Sequence, residues 1–151
     1  MNAIKSLKCV VKPAIGALNY CAPALDLGIR LWVANVFWKS GLTKIANWDS
    51  TVQLFTHEYQ VPWLAPETAA LLATFSELVF PVLLVLGLGA RVSAAALLVV
   101  NIVAVISYPE LNEVGIKDHV YWGMLLLVTL MHGPGKLSLD HLIRRRWWGK
   151  A

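Results

Sequence analysis

The chain has 151 residues, of which 58% are hydrophobic and only 15% charged, with a formal net charge of +4. Soluble domains carry nearer a quarter charged residues, and one core at this length cannot bury so large an apolar fraction. That balance excludes an ordinary water-soluble domain and points to lipid as the solvent. Nucleic-acid binding is also disfavoured. The basic residues sit at the two ends, Lys5, Lys8 and Lys12 at one and Lys136, Arg144, Arg145, Arg146 and Lys150 at the other, with membrane-like sequence between them. Basic tails beside apolar spans meet anionic lipid head groups.

Residues 1–20 place Ile4, Leu7, Val11, Ile15 and Leu18 at helical spacing among lysines, which predicts a helix lying on the membrane surface. A first span is predicted over 20–40, with Asp26 and Arg30 inside it. In the loop that follows, residues 50–59 set Val52, Phe55 and Tyr59 on one face, a second surface helix ended by Pro62 and Pro66. The second span covers 68–88 and holds Thr74, Glu77 and Pro81. A tight turn at Gly87-Leu88-Gly89 leads to the third span, 92–108, which holds Asn101. The fourth span, 114–132, includes Lys117, Asp118 and His119 near its start. The tail, 136–151, aligns Leu139, Leu142, Ile143 and Trp147 beside three arginines and is expected along the surface. About twenty residues rising about 1.5 Å each cross a hydrocarbon core. The expected fold is therefore all-α: a single-domain integral membrane four-helix bundle with interfacial helices at the N-terminus, in the first outer loop and at the C-terminus.

Loop charge sets the direction. Lys44 faces Asp49, Glu58 and Glu67 in the first loop, and Lys117 faces Glu110, Glu113 and Asp118 in the third, whereas both tails and the short turn at Arg91 are basic. The positive-inside rule places both termini in the cytoplasm. Cys9 and Cys21 then lie on or near the reducing side, where a disulfide is disfavoured.

Charged groups inside a span are costly and usually carry a role. Counting along the helices puts Arg30 about 15 Å, and Glu77 and Asn101 about 14 Å, from their respective span ends, all near the midplane. At matching depth on antiparallel neighbours, Arg30 and Glu77 are expected to pair, with Asp26 one turn from Arg30. Ala70, Thr74, Glu77 and Pro81 form a small and polar stripe on one helix face. Two uses stay open: a pocket for a head group, proton or small molecule, or a lock on helix register. His119 and Asp118 offer a proton route to the outer face, or are ordinary interfacial residues. Met131-His132 supplies too few ligands for a metal site. No phosphate loop, dinucleotide-binding glycine fingerprint, haem-attachment cysteine pair or nucleophile elbow is present.

The run Arg30-Leu31, then Phe37-Trp38-Lys39-Ser40-Gly41-Leu42-Thr43-Lys44, then Trp48 and Val61-Pro62, resembles the first half of the DoxX family. Glu77 to Gly87 followed by Gly89-Ala90-Arg91 resembles its second-helix signature, and Gly133-Pro134-Gly135 with Ser138-Leu139-Asp140 resembles its common end. Together these cover roughly 25–142. The resemblance implies a small, multi-pass bacterial inner-membrane protein, with Arg30, Lys44, Glu77 and Arg91 matching the family pattern. It also implies a membrane subunit of a quinone-linked oxidoreductase, or a partner of a redox enzyme, rather than an autonomous active site. On that basis the expected ligand is quinone, lining Arg30, Glu77, Asn101, Asp26 and Thr74, with no tightly bound cofactor and no metal. The expected partners are membrane lipids and a redox protein or further copies of the chain. The alternative is a non-catalytic scaffold in which the Arg–Glu pair is structural.

Overall fold

The computed structural model describes residues 2–147 and 149, and the side chains of all of these except 2–10 and 14. The side chains of the expected stripe at Ile4 and Leu7 and of Cys9, together with Trp148 and Lys150, lie outside what is described. The described residues form six helices and no strand: α1 (Asn2–Ala46), α2 (Trp48–His57), α3 (Pro66–Leu86), α4 (Ala90–Ser107), α5 (Glu113–His132) and α6 (Leu139–Trp147).

Helix boundaries follow local chemistry. Asn47 ends α1 and caps α2, its side chain accepting from Ser50 N at 3.0 Å. Pro66 opens α3 at a position where its missing N–H costs nothing. Gly87 closes α3 in the left-handed region at φ 65°, and Gly89 follows at φ 56° to start α4. Both conformations suit glycine. Asn112 caps α5 by accepting from Gly115 N at 2.8 Å, and Ser138 caps α6 by accepting from His141 N at 3.1 Å.

The four long helices pack in a ring, α1 on α3, α3 on α4, α4 on α5 and α5 back on α1, while α2 leans on α3. The core joins Val33, Ala34 and Phe37 of α1 to Leu84, Ala90, Ala94, Leu97 and Leu126. Small residues at the contacts let the backbones approach closely. Gly41 is one such case: a Cβ there would stand 2.8 Å from Leu78 Cδ2.

Three helices, Pro66–Leu86, Ala90–Ser107 and Glu113–His132, are long and apolar enough to cross a membrane. No more than a third of any of these apolar windows is buried inside the protein. Val99, Ile106 and Met124 are among the side chains left outside. Such surface would be untenable in water and is ordinary against lipid tails.

α1 departs from expectation. It does not stop at Ser40 but runs unbroken to Ala46, and from Val11 to Leu25 its described side chains are exposed apart from half-buried Pro23. Its packed half begins only near Asp26. The helix therefore sits several residues further along than a span starting at Tyr20 would place it, which decides where its charged residues fall.

Candidate functional site

Arg30 and Glu77 do not pair. Gly41 of α1 is level with Glu77 and Leu78 of α3, and Arg30 lies eleven residues earlier, about 16 Å down the helix. Lys44, one turn past Gly41, reaches Glu77 instead. Its Nζ donates to Glu77 Oε2 at 2.6 Å and to Ser40 Oγ at 2.8 Å. The Lys44 and Glu77 side chains keep only 14% and 8% of their exposure, so the ion pair is largely removed from solvent.

This pair forms part of the wall of a cavity of about 310 Å³ between α1, α3, α4 and the α2–α3 connection. Phe55, Tyr59, Ser76 and Ser107 line it further, and Leu72 of α3 and Val99 of α4 stand at its apolar side, both largely exposed. A stack of rings bounds it: Phe55 lies 4.9 Å from Tyr59, and Tyr59 lies 5.1 Å from Tyr108, centroid to centroid. Gln60 N donates to Ser107 O at 2.8 Å, tying the connection to the end of α4. The Ser107 hydroxyl is buried and has no hydrogen-bond partner among the described residues. A buried hydroxyl is seldom left unpaired.

Tyr59 and Tyr108 lie outside the apolar spans. Burial pushes the Tyr59 phenol up, and the Glu77 carboxylate adds to the effect. The negative charge of Glu58 does the same at Tyr108. An unfolded tyrosine ionises near pH 10, while the folded one holds its proton to higher pH. The folded state then binds more protons, so stability is unaffected below about pH 10 and falls above it. Tyr59→Phe is expected to flatten that alkaline loss in unfolding measured against pH. An unchanged slope would place the Tyr59 phenol in a water-like setting.

The other candidate residues separate into two further places. Arg30, only 1% exposed, donates to the carbonyls of Leu84 at 3.2 Å, of Val85 at 3.3 Å, and of Leu137. Around it the turn 133–140 is stitched to the α3–α4 turn. Asp140 accepts from Gly89 N at 2.9 Å and Ala90 N at 3.1 Å, and its own N donates to Gly87 O at 2.9 Å. Asp26 abuts Gly135 beside this knot. A Cβ on Gly87 would stand 2.5 Å from both Arg30 Nη1 and Ser138 Cβ. Nothing larger than glycine fits between them.

Asn101 joins His119 rather than Glu77. Its Nδ2 donates to His119 O at 2.9 Å, and its Oδ1 lies 2.8 Å from His119 Nδ1. With the amide so oriented, Nδ1 carries the proton. Asn101 is buried, and the His119 ring meets Trp122 edge-on at 4.9 Å. Asp118 is exposed. Thr74 is buried with its hydroxyl turned back to Ala70 O at 2.7 Å. Arg91 donates to Met131 O at 3.3 Å, holding the end of α5.

The expected five-residue pocket is therefore three separate constellations: a carbonyl clasp at Arg30, an α4–α5 buckle at Asn101, and the cavity at Lys44–Glu77. Sequence reasoning missed Phe55, Tyr59, Ser76 and Ser107 as neighbours of the charged pair. The unbroken helical run from Ser40 to Ala46 was the available signal, because it carries Lys44 into the packed region.

The apolar helices with a charged pair folded between them define a polytopic membrane protein. Residues 25–109, more than half of the chain, match the DoxX family. An uncharacterized protein of Haemophilus influenzae is 32% identical over 126 residues, covering 78% of this chain and 82% of its own. The chain belongs to the DoxX family. No solved structure matches it.

Proposed function

We propose that the protein is a membrane subunit that takes a quinone into the Lys44–Glu77 cavity and serves a partner redox enzyme. The carrying observation is the cavity itself, about 310 Å³ and mostly apolar, with an ion pair and an unpartnered hydroxyl in its lining. Apolar walls with a few placed polar groups suit a lipid-soluble ring. The Lys44 ammonium and the Ser107 hydroxyl can donate to a carbonyl oxygen, and Glu77 can accept a proton. The redox centre would come from the partner, since the chain's own residues offer binding and proton handling only.

In this reading the packed half of α1 is a fourth span, and α3, α4 and α5 are the others. Together they make a four-helix bundle in the bacterial inner membrane. The basic tails place both termini in the cytoplasm, so the cavity lies toward the outer face. α2 and α6 are short amphipathic helices that rest at the two interfaces. His119, held by Asn101, stands near the outer end of α5 and is placed for proton exchange there.

A scaffold reading has support of its own, because Arg30, Asp140 and Arg91 are committed to backbone groups and hold the fold together. Ala104, which lines the cavity and is not a member of the ion pair, separates the two. A short-tailed ubiquinone analogue titrated into the protein in lipid nanodiscs is expected to raise its melting temperature. At a hundredfold excess over Kd, one ligand adds about 2.7 kcal/mol. Ala104→Phe is expected to fill the cavity and abolish the rise in a protein that still folds. No rise in the parent at saturating analogue would overturn the quinone reading and leave the scaffold.

A further inference from the structure

A second cavity, of about 210 Å³, opens at the other end of the molecule between the start of α4, the α5–α6 turn and α6. Arg91, Lys136 and Arg144 line it together with His132 and His141, and no carboxylate is among its lining residues. Three like charges facing one space repel one another unless an anion sits between them.

The nearby acids are committed elsewhere. Asp140 gives both oxygens to the Gly89 and Ala90 amides, and Asp26 lies against Gly135 within the coulombic reach of Arg30. Neither faces the space as a free counter-charge to Lys136 or Arg144.

The arrangement is built rather than incidental. Gly133, at φ 85°, lets the Arg91 guanidinium lie across the turn, where a Cβ would come 3.2 Å from Nε and 3.3 Å from Nη2. One guanidinium nitrogen is held by Met131 O at 3.3 Å. The remaining N–H groups stay available in a planar fork, the geometry that suits phosphate oxygens. Lys136 comes from the turn and Arg144 from the second turn of α6, so three separate elements contribute one cation each.

We infer that this cavity binds a phosphate-bearing anion, held by Arg91, Lys136 and Arg144. The site is independent of the Lys44–Glu77 cavity and shares no residue with it. The same chemistry is offered by the head group of an anionic phospholipid and by free phosphate.

The test is native mass spectrometry of the full chain, delipidated in mild detergent and titrated separately with phosphatidylglycerol, phosphatidylcholine and inorganic phosphate. One phosphatidylglycerol per chain is expected, bound at least tenfold more tightly than phosphatidylcholine. Lys136→Gln with Arg144→Gln, which removes two exposed side chains with no backbone bond, is expected to weaken it at least tenfold. Arg145→Gln with Arg146→Gln removes the same total charge, from α6 residues outside the cavity lining, and is expected to change it less than threefold. Displacement of the lipid by millimolar phosphate would identify a free phosphate as an equal occupant; persistence of the lipid would identify the head group of a phospholipid. Equal losses in the two double variants, or equal binding of the two lipids, would overturn the site and leave only a diffuse basic surface.

Discussion

Glu77→Ala is expected to destabilise the protein by about 3–5 kcal/mol, because it strands the Lys44 ammonium in a largely buried position. Lys44→Ala should cost a similar amount by leaving the carboxylate alone. The double variant Lys44→Met with Glu77→Leu removes both charges and fills the space with apolar atoms. Its stability is expected within about 2 kcal/mol of the parent, since replacing a buried pair by packed hydrophobes is often neutral. The measurement is a double-mutant cycle on reversible unfolding in mixed detergent micelles, with quinone-analogue binding read on each variant. Single losses below about 1 kcal/mol would mean that water screens the pair as it does a surface salt bridge. If the double variant folds and still binds the analogue, the pair is a packing device and the cavity owes its affinity to other groups.

The same pair shows what the sequence could convey and what it could not. Helix content, the turn at Gly87–Gly89 and the α2 segment follow from apolar periodicity and from caps a few residues long. Those signals are local, and α2 at Trp48–His57 lies close to the amphipathic stretch 50–59 that announced it. The depth of Arg30 and Glu77 is not local. It depends on where α1 starts to pack on α3, and nothing between Tyr20 and Asp26 marks that point in one dimension. A slip of several residues along a helix moves a side chain by about 1.5 Å per residue, enough to exchange one charged partner for another. Lys44 was visible as part of a shared motif with Arg30 and Glu77. Its role needed the register that Gly41 fixes by letting α1 press against Leu78.

Motif residues at the other end carry a different lesson. Gly87, Gly89, Arg91, Ser138 and Asp140 were legible as short signatures; Arg91 holds the end of α5, and the other four serve the junction between the α3–α4 turn and the entry to α6. Asp140 places a negative charge at the start of α4, where the helix dipole favours one. The signature at the α3–α4 turn and the one before α6 are thus one structural unit, separated by some fifty residues in sequence. The cavity at Lys44–Glu77 and the clasp at Arg30 occupy opposite ends of the packed helices, which lets each be altered without the other.

Arg30→Ala should then be the most damaging single change at the clasp end. Its guanidinium serves three carbonyls on two segments, Leu84 and Val85 at the last turn of α3 and Leu137 in the turn before α6. The last carbonyls of a helix have no partner within it, so Arg30 closes α3 and fastens the following turn in one step. Leu84 O keeps the Gly87 amide at 3.1 Å, but Val85 O and Leu137 O lose their Arg30 donor. Each buried carbonyl left without a donor costs about 1–3 kcal/mol, which gives an expected loss of at least about 2 kcal/mol. Arg30→Lys should recover less than half of that loss, because a single ammonium cannot present a planar fork to carbonyls on two segments. Hydrogen exchange separates this effect from loss at the cavity. Amides of Gly87, Leu88 and Asp140, all bonded within the junction, should lose protection in Arg30→Ala, whereas that of Gln60, bonded to Ser107 at the far end, should keep it. Uniform loss at both ends would mean that the helices open as a single unit and that Arg30 closes the whole bundle.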